Sequence, residues 1–186
     1  GDAAAITISI AALLFTVFSY WALHARVGRL HVVGKPRSFA LSTAGGLHLT
    51  LPLVFHNDGP TPLVLLDLRL CLDAPGMPDL VPLAAVKSNL YGDAGRQLPT
   101  AIVLAGREAR LVCCEFYSVP WSTQLKEGEL LARLEGREGA GRRSEAWREL
   151  SRFGLAITTD VIAKSAQYIA HDNQPVQKGE VPRPHS

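Results

Sequence analysis

The chain reads as an all-β protein, an antiparallel sandwich of the immunoglobulin or fibronectin type, preceded by one N-terminal transmembrane helix. Three observations predict this. Residues 3–23, AAAITISIAALLFTVFSYWAL, carry no charged side chain, and a run of this length can cross a hydrocarbon core about 30 Å thick at about 1.5 Å per residue. From 47 to 73, LHLTLPLVFHNDGPTPLVLLDLRLCLD, apolar residues alternate with others through two successive runs, the period of half-buried strands. Similar short runs, broken by Gly, Pro and Asn, recur as far as residue 157. Together they make about seven or eight strands without a helical period.

Taken in order, residues 1–24 form the transmembrane helix. Its polar members, Thr7, Ser9, Thr16 and Ser19, have hydroxyls that can bond back to the preceding turn and are tolerated in lipid. Tyr20 and Trp21 fall at one end, where amphipathic rings settle among the headgroups. Behind the span come Arg26, Arg29, Lys35 and Arg37, with His24 and His31, and no acid appears until Asp58. Only Asp2 precedes it. Basic residues next to a span stay on the cytoplasmic side, which predicts a single-pass cell-membrane protein with its globular part in the cytoplasm. A secretory signal would carry its positive charge before the apolar run and a small-x-small cleavage site after it. ALHARV supplies no such site, so the expectation is an anchor in the bilayer through residues 3–23.

Residues 25–158 form the β-sandwich domain. RLHVV (29–33) and RSFAL (37–41) are short strands. In the next strand Leu47, Leu49, Leu51, Leu53 and Phe55 share one face. Pro52, which cannot donate a ladder hydrogen bond, marks an edge or a bulge. In its partner Val64, Leu66, Leu68, Leu70 and Leu72 alternate with Leu65, Asp67, Arg69, Cys71 and Asp73; the first set is expected in the core. Residues 73–99 are rich in Pro and Gly and read as loop with one short strand. AIVL (101–104), ARLVCCEFYSV (109–119), ELLARLEG (129–136) and WRELSRFGLAI (147–157) complete the series. Residues 159–186 are a C-terminal tail with a short helix near its start, since Pro175, Pro182 and Pro184 oppose regular structure beyond it.

A single uncharged helix, a basic flank and a strand running through HNDGPTPLVLLDLRLCL resemble the small single-pass, membrane-anchored β-sandwich proteins of high-GC bacteria. The strand–Asn–turn–Pro–strand element is also similar to the WHy/late-embryogenesis-abundant sandwich, in which an Asn-Pro-Asn motif occupies the turn. Here the turn is His56-Asn57-Asp58-Gly59-Pro60, which departs from that motif. The resemblance covers about thirty residues; it implies a sandwich and transfers no catalytic residue.

The chemistry-bearing residues are sparse. Nineteen basic against seventeen acidic side chains leave a net charge of +2, which argues against an electrostatic nucleic-acid binder with a concentrated basic face. HNDGPTP is fully explained as a turn, because Asn57, Asp58 and Gly59 tolerate positive φ while Pro60 and Pro62 fix φ. His56 and Asp58 lack the third group that an acid–base site requires. The six histidines are scattered and the cysteines, Cys71, Cys113 and Cys114, have no C-x-x-C spacing, so no metal ligand is assigned. Serine-hydrolase and phosphate-loop motifs are absent. No catalytic or cofactor-binding residue is therefore named. Arg137, Arg142 and Arg143 in GREGAGRR (136–143) are the candidates for contact with anionic lipid or a partner. The expected function is a non-enzymatic, membrane-anchored interaction or accessory module with a protein partner and no nucleic acid. The alternatives are an envelope or stress-protection module of the LEA/WHy kind outside the membrane, and an enzyme whose site no motif reveals.

Overall fold

A computed structural model describes residues 2–26, 28–73, 80–90, 95–119, 125–139 and 146–173. Helix α1 (Asp2–Tyr20) continues into a π-helical turn, Trp21–Ala25. Thr7, Ser9 and Thr16 each donate a hydroxyl hydrogen bond to the carbonyl four residues back, at 2.8–2.9 Å. Asp2–Ala25 is long and apolar enough to span a membrane, and none of it packs into the core.

The remainder is mostly antiparallel β-sheet curled into a half-barrel. Its strands are β1 (Leu30–Val32), β2 (Ser38–Ser42), β3 (Leu47–Asn57), β4 (Leu63–Asp73) and β5 (Val81–Lys87), then β6 (Ile102–Leu104), β7 (Ala109–Ser118), β8 (Gly128–Glu138), β9 (Trp147–Ile157) and β10 (Ile169–Asp172). They pair in the order β10-β2-β3-β7-β5-β4-β8-β9, with β1 on β3 and β6 on β4. These ten strands among the described residues exceed the seven or eight expected from the sequence. Strand β5 is the fold line: its start pairs with β4 through Arg69↔Pro82 and Leu70↔Val81, and from Leu83 onward it pairs with β7, with a register shift between Leu83 and Ala85.

Curling brings two apolar faces together. Leu49, Leu51, Leu53 and Phe55 of β3, with Cys114 and Phe116 of β7, face Leu65, Leu68 and Leu70 of β4, Leu134 of β8 and Leu155 of β9, all essentially inaccessible to water. One expectation for β4 is corrected here. Leu68, Leu70 and Leu72 are buried, but Leu66 is 38% exposed and Leu65 lies inside. A bulge shifts the β4–β8 register between Leu65 and Asp67, so one extra residue flips the alternation. The adjacent leucines at 65 and 66 were compatible with either phase.

Pro52 is accommodated in the middle of β3. Hydrogen bonds Val33 N to Val54 O and Asn57 N to Glu108 O show that even-numbered β3 amides from 54 onward point toward β1 and odd-numbered ones toward β7. The missing amide of Pro52 therefore faces the side where β1 has ended, at the pair with Val54, and β2, which reaches Thr50, has not begun. That gap removes the need for a donor.

Beyond Ile157 the chain forms α2 (Thr159–Lys164), capped by the Thr158 hydroxyl accepting from Val161 N, and returns as β10 against β2. Buried Asn173 closes this end. Its amide donates to Pro36 O and Gly154 O, and its side-chain oxygen accepts from Ala156 N.

Candidate functional site

Two constructions stand out, and the first surrounds the turn between β3 and β4. Asn57 is fully buried. Its Nδ2 donates to Thr61 O at 2.8 Å and Ala105 O at 2.9 Å, and its Oδ1 accepts from Gly59 N at 3.0 Å. One side chain thus ties the β3–β4 turn to the β6–β7 turn, where Arg107 N also donates to Gly59 O. Arg107 holds a left-handed φ of 59°.

The exit of the apolar helix is fastened to the same turn. Arg26 Nη2 donates to Asp58 O at 3.1 Å and lies 3.9 Å from the Asp58 carboxylate. Asp58 Oδ1 accepts from Arg29 N, Asp58 N donates to Arg29 O, and His31 Nε2 stands 3.6 Å from Oδ2. The bond from the Arg29 amide, aided by Arg26 and His31, holds the Asp58 carboxyl below its ordinary range. Gly28 and Gly59 cross so closely that a Cβ on either would overlap the other's backbone. The expected positive φ at Asn57, Asp58 or Gly59 is not found; Gly59 is required for close approach instead.

The second construction is a polar network on the outer side of β3, β5 and β7. Lys87 and Glu115 form an ion pair at 2.7 Å with side chains 3% and 4% exposed. Arg96 Nη2 reaches Glu115 Oε1 at 3.1 Å, and His48 Nδ1 lies 3.9 Å from it. Lys87 also donates to the Tyr168 hydroxyl at 3.3 Å and sits 4.6 Å from its ring centre, while that hydroxyl donates to Thr50 at 2.6 Å. Burial works against charge at Glu115, but the bonds from Lys87 and Arg96 prevail and hold its pKa low. Burial likewise opposes charge on Lys87, and Glu115 and Tyr168 outweigh it, raising that pKa. Burial lowers the His48 pKa, against the pull of Glu115. The carboxylate is engaged by two cations, so the arrangement staples strands and leaves no basic oxygen poised for proton transfer. Glu115 amid apolar β7 and Lys87 ending apolar β5 were the signals of this network. Their pairing, and the return of Tyr168, needed the fold.

Of the flanking residues, Arg26 and Arg29 meet at Asp58. Lys35 lines an open hollow with Glu127, Glu129 and Asp160, and Arg37 lines a shallow one with His171. Arg137 lies on the outer face of β8, 3.8 Å from Asp67 and 5.7 Å from the Trp147 ring, which Arg69 also covers at 4.2 Å. Arg142 and Arg143 lie outside the described residues. Cys71, Cys113 and Cys114 are buried free thiols, and burial pushes the Cys114 thiol far up. Among the described residues no group of three or more His, Cys, Asp or Glu could hold a metal ion. The chain matches no protein-family model and no curated protein.

Proposed function

We propose that this chain is a single-pass, membrane-anchored β-domain that acts without catalysis, as an interaction or accessory module on the cytoplasmic side. The observation that carries the reading is the fastening of the helix exit. Arg26, one residue beyond the apolar helix, is bonded to the β3–β4 turn, and Gly28 and Gly59 interlock directly after it. An anchor joined by a slack linker would let the domain tumble; this joint holds the domain at one attitude to its anchor, which suits a module that presents a surface to a neighbour in the same membrane. The basic flank of Arg26, Arg29, Lys35 and Arg37 supports the cytoplasmic orientation. Leucines buried between the curled halves support describing the domain as a sandwich of the immunoglobulin or fibronectin kind.

The test has two parts. A reporter active only in the cytoplasm, fused after Ser186, should be active, and replacing the four basic flank residues together should scramble orientation. Purification of the full chain from mild detergent extract should bring down a stoichiometric membrane protein. A reporter active only outside would reverse the orientation and favour the envelope reading.

A further inference from the structure

We propose that the tip of the β-domain next to the anchor is a seat for anionic lipid headgroups; this rests on the membrane reading above. Headgroups extend about 5–7 Å beyond the hydrocarbon on each side. Arg26 directly follows the apolar helix and bonds to Asp58, and Asn57 and Gly59 carry the β6–β7 turn into the same cluster. Both turns are therefore held at headgroup depth when the helix spans.

Charge at this tip is sorted. Its acids are turned to internal work: Asp58 accepts from Arg29 N, and Glu108 accepts from Ala105 N at 2.6 Å. The side chains of Arg29 and Arg107 are exposed and have no hydrogen-bond or ion-pair partner among the described residues. Arg107 is held at the tip by the hydrogen bond that its backbone N–H donates to Gly59 O. Guanidinium groups so placed match lipid phosphates.

Exposed apolar side chains adjoin this charge on two sides, Val103 of β6 (52% exposed) and Leu66 of β4 on one, Val33 and Leu111 on the other. Val33, just past β1, donates its amide to Val54 O, and Val54 pairs with Leu111, so the three form a row across β3. Val33 is 56% and Leu111 62% exposed. Away from the tip both outer faces carry paired charges, Lys87–Glu115 and Arg96–Glu115 on one and Arg69–Glu135 and Arg133–Glu135 on the other, which a bilayer would have to desolvate. Charge complementarity and continuity with the anchor thus select the tip and one partner, the anionic bilayer surface.

The test places the full-length chain in nanodiscs containing a lipid with a photoreactive headgroup, in anionic and in zwitterionic bilayers, and maps the cross-links by mass spectrometry. Anionic discs should label the helix and also peptides covering 29–33 and 105–111, above the level at 128–134. Arg29→Gln with Arg107→Asn, which suits the left-handed φ, should lower labelling of 105–111 roughly tenfold and leave the helix unchanged. Helix labelling with 105–111 no higher than 128–134 overturns the seat alone, as does equal labelling in zwitterionic discs. In native membranes, recovery of 105–111 joined to a protein in place of lipid also overturns it. An unlabelled helix overturns the membrane reading itself.

Discussion

Replacing Glu115 by Gln should be among the most damaging single-atom-scale changes in the β-domain. The substitution keeps the shape but removes the charge that Lys87, 3% exposed, faces at 2.7 Å. The Tyr168 hydroxyl and ring, which Lys87 also meets, do not replace the bond to Glu115. Breaking one side of a buried ion pair costs about 3–5 kcal/mol. Arg96 is 47% exposed, so its share is screened to about 0–1 kcal/mol. Because Gln retains one hydrogen bond, about 3 kcal/mol is expected, a Tm lower by about 6–12 °C for a domain of this size. The double replacement Lys87→Met with Glu115→Leu removes both charges and should lie within about 1 kcal/mol of the parent, or above it. The assay is urea unfolding of the full chain in micelles, followed by the fluorescence of Trp147 and by far-ultraviolet dichroism. A loss under about 0.5 kcal/mol for Glu115→Gln, or a double variant as damaged as the single, would refute the argument. The same group predicts a pH dependence. Its folded pKa lies below the ordinary carboxylate value, so its stabilisation is present above about pH 4.3 and is lost as pH falls through the folded value. The acid limb of the parent should therefore be steeper than that of Glu115→Gln.

Other consequences concern packing. Leu68→Asp buries an unpaired carboxylate and should abolish folding, whereas Leu66→Asp, on the far side of the bulge, should change stability by about 0.5 kcal/mol or less in the same urea titration. Gly59→Ala should cost about 1–3 kcal/mol, because its Cβ meets the Gly28 backbone. Asn57→Ala strands the Ala105 and Thr61 carbonyls and the Gly59 amide and should cost about 2 kcal/mol or more. His56→Ala should be silent in the melting curve, and loss of cellular function in a folded His56→Ala protein would favour the enzyme alternative.

Much of the architecture was legible in the chain, because periodicity and turn chemistry are local. The uncharged run at 3–23 and the alternation in β3, β7, β8 and β9 follow from side-chain polarity at neighbouring positions, and the structure places these elements within a residue or two of where they read. Asp58 already stood out as the first acid after the basic flank. What only the tertiary structure decided depends on residues far apart. The phase of β4 turned on a bulge opposite Arg137, since leucines at both 65 and 66 left two registers open. Gly59 owes its role to Gly28, thirty-one positions away, not to its own φ. The Lys87–Glu115 pair and the clasps of Asn57 and Asn173 join segments that share no local pattern. A buried polar group is stable only where its partner arrives, and that arrival is a property of the curled sheet.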